Sequence, residues 1–218
     1  QVGSDIDGEA AGDQSGYSVS LSADGTTLAV GAYVNDGVGS GAGHVRVYGL
    51  QSGAWVQVGS DIDGEAADDR SGHSVSLSAD GTTLAAGAFL NDGGGSNAAG
   101  HVKVYGLQSG AWLQVGSDID GEAAGDQSGY SVSLSADGTT LAIGAHRNGG
   151  SDAGHVRVYV APTASPTAVP TVFPTAVPTV IPTAVPTGSP SELPTVFPTA
   201  VPTVLPTTLY SVSYCFRN

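Results

Sequence analysis

The stretch "QVGSDIDGEAAGDQSGYSVSLSADGTTLAVGAYVNDG" at residue 1 returns twice. It stands at residue 57 as "QVGSDIDGEAADDRSGHSVSLSADGTTLAAGAFLNDG" and at residue 114 as "QVGSDIDGEAAGDQSGYSVSLSADGTTLAIGAHRNGG". A period of about 56 residues constrains this chain more than any other feature. Each unit must take the same shape, and a unit this short cannot bury its apolar face alone. Neighbouring units must cover one another, which is the logic of repeat architectures.

Within a unit the hydrophobic period is two. "YSVSLS" (17–22) alternates, "ADGT" turns, and "TLAVGA" (27–32) is a more continuous apolar strand. The loop "NDGVGSGAG" leads to "HVRVYG" (44–49), and "QSG" turns the chain into "AWVQVGS" (54–60). Asp-Gly, Asn-Asp-Gly and Ser-Gly turn chemistry between short alternating runs predicts four antiparallel strands per unit. No helix-length apolar period occurs in the body. The expected fold is all-β: three four-stranded antiparallel sheets of propeller-blade type, followed by an extended polyproline II tail. The expected boundaries are a three-repeat β domain over 1–160 (repeats 1–56, 57–113 and 114–160), a Pro/Thr stalk over 161–208 and a short end segment over 209–218.

The two ends of the body are complementary. "QVGSDI" precedes the first unit and is the fourth strand of a unit that is not there. The third unit stops after "HVRVYV", before its Trp-containing fourth strand. Closed propellers complete their last blade with a strand from the opposite end, but propellers have four to eight blades. Three units also suit a β-prism or β-trefoil. Two readings stand for the spare strand: it fills the gap in the next molecule, building a filament by self-association, or these residues are part of a larger propeller.

"SGYSVSLSADGTTLAVGAY" resembles the FG-GAP repeat, the blade unit of integrin-α-type β-propellers. Gly16-Tyr17 stands at the Phe-Gly pair and Gly31-Ala32-Tyr33 at Gly-Ala-Pro. Gly72-His73 with Gly87-Ala88-Phe89, and Gly129-Tyr130 with Gly144-Ala145-His146, repeat the match over about 160 residues. The proline after Gly-Ala is absent each time. The family's cation loop is replaced by the tight turn "SADGTT". The resemblance implies an extracellular or cell-surface protein whose propeller binds a protein or glycan ligand.

The stretch "DIDGEAAGD" is the most chemical in appearance. Asp5, Asp7, Glu9 and Asp13 fall at positions 1, 3, 5 and 9, and the set recurs as Asp61, Asp63, Glu65, Asp69 and as Asp118, Asp120, Glu122, Asp126. Oxygen ligands at alternate positions of a tight loop suit Ca²⁺. The glycine sits at position 4 rather than 6, and position 12 is Gly16 instead of a bidentate Glu. Two readings therefore stand: a Ca²⁺ loop, or a solvated acidic turn between blades. His44, His101 and His155 open the third strand of each unit and are expected to pack or cap there, too far apart to share a metal. Trp55 and Trp112, with Tyr48 and Tyr105, read as packing residues.

Nearly every Asp, His and Ser occurs three times over, whereas a catalytic group belongs to an asymmetric pocket. No phosphate loop or metal-hydrolase motif appears, and Cys215 has no His near it. The expectation is a non-enzyme without a catalytic cofactor. Nineteen of the twenty carboxylates lie in the body against five basic residues, which disfavours nucleic acid and anionic lipid as partners. One cysteine allows no internal disulfide, and no apolar run is long enough to span a membrane.

From Pro162 to Pro206 proline occupies every fourth position. It fixes φ, removes an amide donor and pushes its predecessor to extended geometry. Polyproline II has three residues per turn, so a four-residue period carries its apolar residues and its threonines around all faces. A rod coated on every side is expected. The acceptors for O-glycans are Thr163, Thr167, Thr171, Thr175, Thr179, Thr183, Thr187, Ser191, Thr195, Thr199, Thr203 and Thr207. Such tails resemble the glycosylated Pro/Thr-rich stalks of matrix, cell-wall and flagellar-hair proteins. An uncoated linker is the plainer alternative. The whole reads as an extracellular structural or adhesive glycoprotein, with a cell-surface recognition module as the second reading.

Overall fold

A computed structural model describes residues 1–92, 98–148 and 152–161. The polyproline II rod, its glycan acceptors, the end segment and Cys215 lie outside the described residues. Among those described there is no helix. The first unit contributes β1 (Ser18–Leu21), β2 (Thr27–Ala32), β3 (His44–Gln51), β4 (Ala54–Gln57) and β5 (Ile62–Asp63). The second contributes β6 (Ser71–Leu77), β7 (Thr83–Ala88), β8 (His101–Gln108), β9 (Ala111–Gln114) and β10 (Ile119–Asp120). The third contributes β11 (Ser128–Leu134), β12 (Thr140–Ala145) and β13 (His155–Val160). Each unit forms its own antiparallel meander, in the order β1-β2-β3-β4, β6-β7-β8-β9 and β11-β12-β13.

The expected fourth strand is divided. β4 pairs with the end of β3 (Tyr48↔Gln57), and β5 pairs with its start (Val45↔Ile62). Gly59 lies between them with φ of 79°, a left-handed conformation that glycine adopts without a steric penalty. This kink lets one strand of the sequence serve β3 at two places. Each hairpin turn is locked by its own aspartate: Asp24 accepts the Ser22 hydroxyl at 2.6 Å and the Thr26 amide at 3.0 Å. Asp80 and Asp137 repeat the arrangement with their own Ser and Thr partners. That is why "SADGTT" is tight.

Register explains "SVSLS". Ser18, Ser20, Ala29, Gly31, Val45 and Val47 share one face of the first sheet. This face meets the opposite face of the second sheet, where Val75, Leu77, Leu84 and Ala86 are buried together with Ala29, Val45 and Val47. The next junction repeats it, with Ala85, Val102 and Val104 against Leu141, Ile143 and Tyr159. Each fully buried valine or leucine contributes about 1.5–3 kcal/mol. The serines between them fasten one sheet to the next: Ser18 Oγ–H donates to the Gly72 carbonyl at 2.7 Å, and Ser20 Oγ accepts the Leu77 amide at 2.9 Å. Ser74 and Ser76 do the same to the third sheet. The inner strands β1, β6 and β11 are thus neighbours in series. Separate sheets packed face to face through their first strands are propeller-like, and exclude the prism and trefoil alternatives.

Candidate functional site

The acidic loop does not gather its four carboxylates on one point. Position 9 turns inward: Asp13 is buried, accepts the Ala10 amide at 3.1 Å and holds Asn35 Nδ2 at 2.9 Å. Asp69 with Asn91 and Asp126 with Asn148 are equivalent. Position 5 reaches forward to its own third strand, where Glu9 pairs with Arg46 and lies 3.7 Å from His44 Nδ1. Position 1 reaches backward. Asp61 takes two hydrogen bonds from the same Arg46, at 3.0 and 3.1 Å, and a third from Gln57 at 2.6 Å. Position 3 is exposed in all three repeats, as Asp7, Asp63 and Asp120.

Two repeats therefore cooperate in the first basic–acidic cluster, and two in the second. The second cluster joins Glu65, His101, Lys103 and Asp118, with Lys103 Nζ 3.8 Å from Asp118 and paired with Glu65. The third brings Glu122 to 3.8 Å from His155 and 3.4 Å from Arg157. Burial works to lower the Arg46 pKa, but the hydrogen bonds and charge of Asp61 outweigh it and hold it raised. Burial pushes Asp61 up, and the Arg46 and Gln57 hydrogen bonds bring it below its ordinary value. His101 is lowered by burial, against the pull of Asp118 and Glu65.

The ligand atoms of Glu9, His44 and Asp61, and those of Glu65, His101 and Asp118, lie within 4.8 Å of one another, a spacing a metal could use. A guanidinium or ammonium already sits on both carboxylates in each case. A Ca²⁺ ion here would have to displace that cation. These pairings escaped sequence reasoning because the partners are 15 to 38 residues apart, and Arg46 and Asp61 belong to different repeats. The one available signal was the alternating "HVRVY", which puts His and Arg two apart on one strand face.

A second constellation also emerges only in three dimensions. The residues at the Phe-Gly and Gly-Ala-Pro positions form a continuous ring-to-ring row. Tyr17 stacks on Tyr33 (4.3 Å) and His73 (4.9 Å), His73 on Phe89 (4.3 Å) and Tyr130 (4.7 Å), and Tyr130 on His146 (4.0 Å). Tyr17 and Tyr130 are exposed, so the row is open to solvent at these two rings. His73 at its centre is buried, and among the described residues its Nδ1 has no hydrogen-bond partner. Burial lowers its pKa, so the neutral ring is favoured. Trp55 and Trp112 are structural as expected: their indole N–H groups donate to the Val2 and Val58 carbonyls, each at 3.1 Å.

Residues 6–48 match the FG-GAP repeat, and residues 161–196 match the PT disordered repeat. The chain thus combines an FG-GAP repeat with a Pro/Thr repeat, as its motifs implied. No curated protein matches it. Among solved structures it is similar to the periplasmic gluconolactonase of Pseudomonas aeruginosa, at 22% identity and TM-score 0.43, over 66% of this chain and 38% of that one. A Bacteroides uniformis protein named as a 6-phosphogluconolactonase is similar at 14% identity and TM-score 0.47, over 68% and 37%. Saccharomyces cerevisiae Sqt1 is similar at 14% and 0.40, over 68% and 31%. The chain spans less than two fifths of the length of these structures. Two of the three carry enzyme names, and this overturns the expectation of a non-enzyme drawn from repetition. A repeated scaffold does not exclude catalysis, since a single departure in one blade is enough to make an asymmetric site.

Proposed function

We propose that this chain is an extracellular structural or adhesive module, a propeller-type body carried on a glycan-coated Pro/Thr rod. The observation that supports this best is the pairing of FG-GAP repeats, which are typical of extracellular and cell-surface proteins, with a tail that keeps proline at every fourth position from Pro162 to Pro206. In polyproline II geometry a segment of this kind would carry its Val, Ile, Leu and Phe on every side. Sugars on Thr163 to Thr207 would keep those side chains from sticking. The intact mass of the protein from its native source tests the reading. A mass well above the peptide's 21.5 kDa, falling to that value after glycosidase treatment, is expected. A native mass equal to the peptide's removes the coated-rod reading.

The aromatic row favours a second reading, a recognition module for a glycan or a protein. Exposed Tyr17 and Tyr130 offer flat apolar faces with polar tips, which suit the apolar face of a sugar ring or an interface anchor.

A further inference from the structure

We propose that Glu65, His101 and Asp118 bind a divalent transition-metal ion of the Zn²⁺ class, at the seam between the second and third repeats. The ligand atoms of the three residues lie within 4.8 Å of one another. His101 Nδ1 is 4.0 Å from Glu65 Oε2 and 3.9 Å from Asp118 Oδ2. These separations are too long for hydrogen bonds. They suit atoms that share a central ion. Three donors about 4 Å apart have a common point about 2.3 Å from each, near the zinc–ligand distances of about 2.0–2.2 Å.

Each of the three residues keeps one atom free of hydrogen bonds. His101 opens β8, is 4% exposed, and makes no hydrogen bond among the described residues. Buried polar groups are normally bonded, so a histidine that aims its nitrogen between two carboxylates without reaching either calls for a ligand. Glu65 gives its other oxygen, Oε1, to Lys103. Asp118 gives its other oxygen, Oδ1, to Gln114 at 2.6 Å. Glu65 Oε2 and Asp118 Oδ2 are the oxygens left over, and they are the two that face His101. Glu65 is half exposed, so an ion has a way in and water can complete its coordination.

The first cluster has the same three residue types but not the same freedom. Arg46 bonds both oxygens of Asp61, at 3.0 and 3.1 Å, and pairs with Glu9. Glu9 Oε2 also accepts from Asn35 Nδ2 at 3.5 Å. In the second cluster the place of Arg46 is taken by Lys103, whose ammonium lies 3.8 Å from Asp118 Oδ2. A single ammonium on a flexible stem can swing out where a planar fork bonded to both oxygens cannot. The ion is therefore expected in the second cluster and not in the first. An imidazole beside two carboxylates suits Zn²⁺ and its neighbours, whereas Ca²⁺ takes oxygen ligands. Bound there, the ion ties the second repeat, through Glu65 and His101, to Asp118 of the third. The site is independent of glycosylation and of what the aromatic row recognises.

Titration calorimetry of the full 218-residue chain with zinc chloride alone tests this. A single bound ion is expected, with a melting temperature that rises with Zn²⁺ by mass action. Losing an outer-shell partner costs about 10–100-fold in metal affinity, so His101→Gln and Asp118→Asn, which each remove a ligand, should weaken binding by at least about a hundredfold. Lys103→Met should tighten it about tenfold, because no cation then has to leave. Glu9→Gln in the first cluster and Cys215→Ser should leave the affinity unchanged. Circular dichroism checks that each variant folds, and if His101→Gln does not, Asp118→Asn carries the test. No binding by the unaltered protein at millimolar Zn²⁺, binding that survives the ligand changes, weaker binding in a folded Lys103→Met, or binding lost in Glu9→Gln or Cys215→Ser overturns the proposal.

Discussion

Arg46 illustrates how much a single residue can organise here. Its guanidinium is half-buried and sits between Glu9 of its own repeat and Asp61 of the next. It thereby fixes the entry of one loop and the exit of another. Removing it leaves two carboxylates facing each other beside the buried His44. Exposed ion pairs contribute about 0–1 kcal/mol and breaking a buried pair costs about 3–5 kcal/mol, so this partly buried triad lies between. Arg46→Ala is expected to destabilise the body by about 2 kcal/mol, read by urea denaturation. Arg46→Lys should recover part of that loss, because Lys103 does the same work in the second repeat with a single ammonium. A lysine that recovers nothing would show that the planar fork, and not the charge, is what the cluster needs.

At the scale of the element, the close approach of sheets decides what each strand can carry. Gly31 and Gly87 sit on the faces that meet the next sheet. A Cβ on either would overlap the carbonyl oxygen of Gly72 or Gly129. Main-chain atoms cannot swing aside as the end of a side chain can. Gly87→Ala is therefore expected to force the second and third sheets apart and cost about 3 kcal/mol, the upper end for overpacking. Thermal unfolding followed by circular dichroism checks it, and a midpoint within a degree of the parent's would refute the close-contact account. The alternation in "SVSLS" follows from the same geometry. The serines lie on the face that bonds to the next sheet, and Val75 and Leu77 lie on the opposite face, packed into the layer shared with the preceding sheet.

Over the whole molecule, stability should fall in two steps as acid is added. His73 and His101 are held below their ordinary value of 6.5, chiefly by burial, so the folded state resists protons that the unfolded chain accepts. Their contribution is complete above pH 6.5 and declines as pH falls from there toward their lowered values. Asp24, Asp80 and Asp137 are held below 3.8, first by the hydroxyl of the neighbouring serine, and Asp61 lies below it through Arg46 and Gln57 despite its burial. Their contribution is complete above pH 3.8 and is lost below it. The melting temperature is expected to drop as pH falls below 6.5 and to drop again below 3.8. His73→Phe should shrink the first drop and raise stability at neutral pH by about 1 kcal/mol, because it removes a buried nitrogen with no partner. An unchanged first drop in that variant would assign the step to other groups.

The sequence by itself determined the strands, the turns and the three-fold repetition. All of these depend on residues a few positions apart: alternation for strands, Asp-Gly chemistry for turns, and a near-identical text for repetition. β2, β7 and β12 coincide with the runs "TLAVGA", "TLAAGA" and "TLAIGA" for that reason. Only the tertiary structure decided what the loop acids do. Four carboxylates at 1-3-5-9 spacing look like one site in the text, yet the chain sends them in four directions. Their partners Asn35 and Arg46 are brought close by sheet pairing and not by sequence distance. The same holds for the aromatic row, whose members come from six separate strand ends. Short-range preference fixes which way a side chain alternates. Which face is covered, and by what, depends on how one sheet packs against the next.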